Sequence, residues 1–99
     1  MKDYEVTIVI RPELEDDARA QIIQRVQNLL TAGQGETNAP VVHQWGQRRL
    51  AYPIKKFNEG YYVLFEAKID PLQVNDIERN IRYMEPVLRH LVVRKGGVK

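Results

Sequence analysis

The sequence predicts an α+β chain in which four strands form one antiparallel sheet and two helices cover one of its faces. Three observations lead there. Apolar residues alternate with polar ones in four separate stretches, as half-buried strands require. Two other stretches repeat apolar residues every three to four positions, as amphipathic helices do. The order of these stretches along the 99 residues is β-α-β-β-α-β, which closes into the ferredoxin-like arrangement.

Each element has a local cause. Tyr4, Val6, Ile8 and Ile10 share one face of the first strand, and Pro12 ends it. From Glu13 to Leu30 the pattern is helical, with Leu14, Ala18, Ile22, Val26 and Leu29 or Leu30 on one side. Glu13, Glu15, Asp16 and Asp17 fill the first turns, where the helix dipole favours anions, and read as a solvated helix start. Gly33 is the expected stop, and Gln34–Pro40 is a polar loop.

Strand character returns at Val41 and runs to about Ile54, with a kink or bulge expected at Gly46. Pro53 places this strand at a sheet edge, where a missing N–H deprives no neighbour. Phe57-Asn58-Glu59-Gly60 reads as a turn. In the next strand Tyr61, Val63, Phe65, Ala67 and Ile69 face the helices, while Tyr62 and Leu64 face the other way, with no third layer to cover them. Asp70-Pro71-Leu72-Gln73 is a helix start, with Asp70 as cap and Gln73 closing a capping box. Val74, Ile77, Ile81 and Met84 form its apolar stripe, Pro86 ends it, and Val87 to Val93 is the last strand. The expected organisation is a single domain over residues 1–95 and a short flexible tail over 96–99.

Composition narrows the chemistry. Cysteine and serine are absent, which removes disulfides, zinc–thiolate sites and two nucleophile classes. That suits a cytosolic protein, and no leader or membrane span is expected. His43 and His90 sit on separate segments without a partner cluster, so each reads as an ordinary strand histidine. There is no glycine-rich phosphate loop and no metal-ligand spacing, so no cofactor and no small-molecule substrate are expected. Net charge is +2, but residues 1–40 carry −3 and residues 41–99 carry +5. A basic second half hints at a nucleic-acid face.

Within that half, Gly46-Gln47-Arg48-Arg49-Leu50-Ala51-Tyr52-Pro53-Ile54-Lys55 carries more cations than a core strand needs. Arg48, Arg49, Lys55 and Lys56 bracket Tyr52, and Arg89, Arg94 and Lys95 add charge on the last strand. Guanidinium groups take phosphate bidentately, so these are the candidate RNA-binding residues. Arg48 and Arg49 should point to opposite faces unless the bulge re-aims them. Tyr62 and Leu64 are the candidate partner-binding residues, as an exposed apolar pair on an open sheet.

The decapeptide resembles the signature of the bacterial small-subunit ribosomal protein six family: a glycine, a basic residue, Leu-Ala-Tyr and an isoleucine at this spacing. The resemblance extends to Tyr4-Glu5, Pro12, Gly60-Tyr61 and Met84-Glu85-Pro86-Val87-Leu88-Arg89. It implies a cytoplasmic, ribosome-associated structural protein without catalysis. It also implies pairing with small-subunit ribosomal protein eighteen, and binding of the pair to the central domain of small-subunit ribosomal RNA. Matching positions suggest contact roles for Arg48 and Tyr52, with Leu50, Ala51 and Ile54 as packing. The Gln34–Pro40 loop looks longer than the common pattern, and the extended tail of some members is not matched. The alternative reading is a small ferredoxin-like enzyme, such as an acylphosphatase, or a ligand-sensing module. The glycine-free, acidic Ile10–Glu15 segment argues against a phosphate cradle after the first strand.

Overall fold

A computed structural model describes residues 2–31 and 40–95. Its elements are β1 (Lys2–Ile10), α1 (Asp16–Thr31), β2 (Val41–Ile54), β3 (Phe57–Ile69), a single 3-10 turn (Pro71–Gln73), α2 (Val74–Arg82) and β4 (Val87–Arg94). The sheet order is β2-β3-β1-β4, and every adjacent pair is antiparallel. This is the expected ferredoxin-like arrangement, with β2 and β4 as edges.

One core joins the sheet to both helices. Tyr4, Val6, Ile8 and Ile10 of β1 meet Val63, Phe65, Ala67 and Ile69 of β3, with Ile22, Ile23, Val26 and Leu30 of α1 and Ile77 and Ile81 of α2. Both helices therefore lie on the same face, and the other face is open. Phe65, Ile8, Ile10 and Leu30 are fully buried, each contributing roughly 1.5–3 kcal/mol of burial.

Several boundaries differ from the sequence reading. The helix begins at Asp16 rather than Glu13. The Arg11 N–H donates to the Pro86 carbonyl, and Leu14 packs against the core, so tertiary ties hold this segment out of the helix. Asp70 does cap, its carboxylate accepting from the Leu72 N–H at 3.0 Å. Gln73 closes no capping box; its backbone N–H donates to the Asp70 carbonyl in the 3-10 turn. The expected turn at Phe57–Gly60 is also displaced: these residues belong to β3, and the chain reverses at Lys55-Lys56. Both lysines have positive φ, 49° and 73°, the geometry of a two-residue type I′ hairpin. Gly60 serves close packing instead, since a Cβ there would lie 2.3 Å from Val9 Cγ1. The expected stop at Gly33, the Gln34–Pro40 loop except Pro40, and the 96–99 tail lie outside the described residues. Among those described, no helix is long and apolar enough to cross a membrane.

Candidate nucleic-acid interface

Two irregularities in β2 shape the site. The first is the expected bulge: pairing with β3 shifts between Gln44 and Gly46, and Gly46 has a φ of 89°. The second is larger. Arg49 pairs with Glu59 and Ile54 pairs with Phe57, so Leu50, Ala51, Tyr52 and Pro53 stand opposite Asn58 alone. Pro53 thus sits on an edge strand and in a stretch that has left the ladder, where its missing N–H costs no pairing.

Between these irregularities the pairing is regular, so Arg48 and Arg49 take opposite faces. Arg48 pairs with Gly60 and belongs to the open face. Arg49 pairs with Glu59 and belongs to the helix side. Lys55 and Lys56 form the tip. Arg89 pairs with Val9 on the open face, and its Nη1 donates to the Tyr52 hydroxyl at 2.9 Å. The structure therefore gathers Arg48, Arg49, Tyr52, Lys55, Lys56 and Arg89 at the hairpin end of the sheet. All are exposed. Among the described residues, no ion pair neutralises any of these cations.

Arg94 and Lys95 are elsewhere. Arg94 pairs with Tyr4 near the start of β1, five residues and about 17 Å along β4 from Arg89. Lys95 turns onto the open face, where its Nζ is 2.7 Å from Glu66 Oε1. His43 Nε2 lies 2.6 Å from the other oxygen of the same carboxylate. The hydrogen bond from Lys95, then that from His43, holds the Glu66 carboxyl below its usual range. The same Glu66 bond pushes the Lys95 ammonium up.

The remaining open face is partly apolar. Tyr62 and Leu64 are half-buried, and Val41, Leu91 and Val93 are exposed around them. Leu64 shares a row with His43, Thr7 and Leu91, and Tyr62 shares one with Gly46, Val9 and Arg89. On the other face Tyr61 is spent on packing: the Arg19 guanidinium lies 4.1 Å above its ring, and its hydroxyl donates to Gln44. His90 stands 3.6 Å from Glu78 of α2. Where a phosphate loop would follow β1, Arg11 is paired with Glu13 and Glu85. No group of metal-ligating side chains occurs among the described residues.

Comparison with known proteins agrees with the fold and extends it. A family model described as ribosomal protein S6 matches residues 3–94. Small ribosomal subunit protein bS6 of Moorella thermoacetica is 39% identical, over 95% of this chain and 94% of the relative. The bS6 protein of Caldanaerobacter subterraneus is 41% identical, over 95% and 97%. In structure, the chain is similar to 30S ribosomal protein S6 from Thermotoga maritima, with a TM-score of 0.85 and 26% identity over 95% of this chain and 87% of that one. With a family model matched over residues 3–94, relatives 39–41% identical over nearly their whole length and a solved S6 structure of similar fold, this chain belongs to the ribosomal protein S6 family of the small ribosomal subunit.

Proposed function

We propose that the hairpin end of the sheet binds small-subunit ribosomal RNA and that the chain acts there as a non-catalytic assembly clamp. The observation that carries this reading is the concentration of exposed cations at one end, with Arg48, Arg49, Lys55 and Lys56 free of ion pairs among the described residues. Such cations position a protein on phosphates without reading sequence. Specificity then comes from the shape of the RNA, which family membership suggests is the central domain. The half-buried Tyr62 and Leu64, with Leu91 beside them, support a protein partner on the open face, and ribosomal protein eighteen is the partner the family suggests. Arg94 and Lys95 lie at the far end of the sheet and are not part of this RNA surface. The site of action is the cytoplasmic small subunit.

The absence of cysteine makes a direct test simple. Lys56→Cys and Arg82→Cys each carry one photo-crosslinker and are incorporated into small subunits. Position 56 is expected to crosslink ribosomal RNA strongly, and position 82, at the end of α2, weakly. Equal yields, or a stronger crosslink from 82, contradict the reading.

A further inference from the structure

β2 and β4 are the two edges of the sheet, with β3 and β1 between them. At about 4.8 Å per strand, the edges stand about 14 Å apart. Tyr52 of one edge nevertheless accepts a hydrogen bond from Arg89 of the other, at 2.9 Å. Two features permit that reach. Leu50–Pro53 has left the ladder, so this backbone is free to bend over the open face. The floor beneath it is low, because Gly60 has no side chain and Val9 Cγ1 and Leu50 Cδ2 fill the space above it. Leu50 is 8% exposed and Val9 only 3%, although both lie on the face without helices. Leu50, the first residue of the bent segment, meets Val9 in the space over Gly60. Among the described residues, the bond to Arg89 is the only side-chain hydrogen bond that Leu50–Pro53 makes.

We propose that Tyr52 and Arg89 form a latch across the open face, acting as positioning residues. The bond fixes how the chain beyond Arg49 leaves the ladder, and so where Lys55 and Lys56 stand. The inference rests on the reading of the hairpin end as RNA-binding. It turns Tyr52 from a direct RNA contact, by stacking or hydrogen bonding, into a group that orients its neighbours. Stacking needs the ring alone, whereas the latch needs the hydroxyl. Tyr52→Phe separates stacking from the latch by one oxygen atom.

The experiment compares the full chain with Tyr52→Phe, Arg89→Gln and the double variant. Amide hydrogen exchange over residues 50–57 is followed in the free protein. Affinity is measured for a central-domain fragment of small-subunit ribosomal RNA, with ribosomal protein eighteen present. Both single variants are expected to exchange faster over 50–57, with exchange in β1 unchanged. Tyr52→Phe is expected to bind the fragment about threefold to tenfold more weakly, the range one exposed hydrogen bond spans. In the Arg89→Gln background the same change is expected to cost nothing further. Unchanged exchange in Tyr52→Phe overturns the latch alone. Faster exchange with wild-type affinity overturns the positioning role, as do losses that add in the double variant. Failure of the wild-type chain to bind overturns the RNA reading, and positioning with it.

Discussion

Lys55 and Lys56 stand side by side in left-handed backbone conformations, at φ of 49° and 73°. A type I′ turn favours Asn-Gly at these positions, and an ordinary L-residue there costs about 1 kcal/mol or more. Two lysines are thus held where the backbone disfavours them, at the point where the chain displays its charge. Lys55→Asn with Lys56→Gly is expected to stabilise the isolated protein by about 1 kcal/mol, after part of the gain is lost to the flexibility of unfolded glycine. That corresponds to about 4–8 °C in Tm for a chain of this size. The same variant is expected to bind ribosomal RNA more weakly. Thermal melts and RNA titration on one preparation check both. A variant that is more stable and binds as tightly would show that the strained lysines do nothing for the RNA.

Gly60 and Val9 make the second prediction. A Cβ at 60 would lie 2.3 Å from Val9 Cγ1, with the Ile10 carbonyl oxygen at 3.5 Å. Valine branches at Cβ and has few rotamers into which to retreat. Gly60→Ala is therefore expected to destabilise by roughly 1–3 kcal/mol, the range for overpacking. Val9→Ala in the same chain is expected to recover part of that loss, because the clash is with the removed methyl. Urea midpoints of the two single variants and the double give the coupling. Strictly additive losses would count against the contact.

Glu66 gives a pH dependence with a definite sign. Its carboxyl is held below the ordinary value of 4.5, chiefly by the hydrogen bond from Lys95 and then by that from His43. A depressed folded value contributes stability that is present above pH 4.5 and lost as pH falls through the folded value. The stability difference between wild type and Glu66→Gln is expected to shrink on acidification below pH 4.5. Lys95, raised above 10.5 by the same Glu66 pair, loses its contribution only as pH rises beyond that value. Urea midpoints across pH for both proteins check this. A difference that stays constant below pH 4.5 would contradict the pairing.

Much of the fold is written locally and could be read. Period-two alternation marked which residues of β1 and β3 face the helices, and Pro53 marked an edge. The failures have a common cause. Gly60 looked like a turn glycine because the sequence does not distinguish a glycine needed for φ from one needed for close approach. Lys55 and Lys56 carry no turn signal at all, so the true reversal was invisible. Lys95 counted as a free cation because its partner Glu66 lies 29 residues away and two strands over. Tyr52 and Arg89 are both legible as candidates, but their bond joins positions 37 apart. It depends on a four-residue departure from the ladder that no local pattern announces. The candidate surface was therefore legible as a set of residues, and not as a geometry.

The salt dependence of RNA binding tests the central claim most directly. Arg48, Arg49, Lys55 and Lys56 are changed to alanine together, and Arg94→Ala at the far end serves as control. Affinity for the central-domain fragment, with ribosomal protein eighteen present, is measured from low to high salt. Each lost phosphate contact flattens the logarithmic slope by about 0.7–0.9. The account predicts a slope flatter by about 3 for the fourfold variant, with the greatest weakening at low salt and little change for Arg94→Ala. Parallel lines for wild type and the fourfold variant, or the larger change in Arg94→Ala, would contradict it.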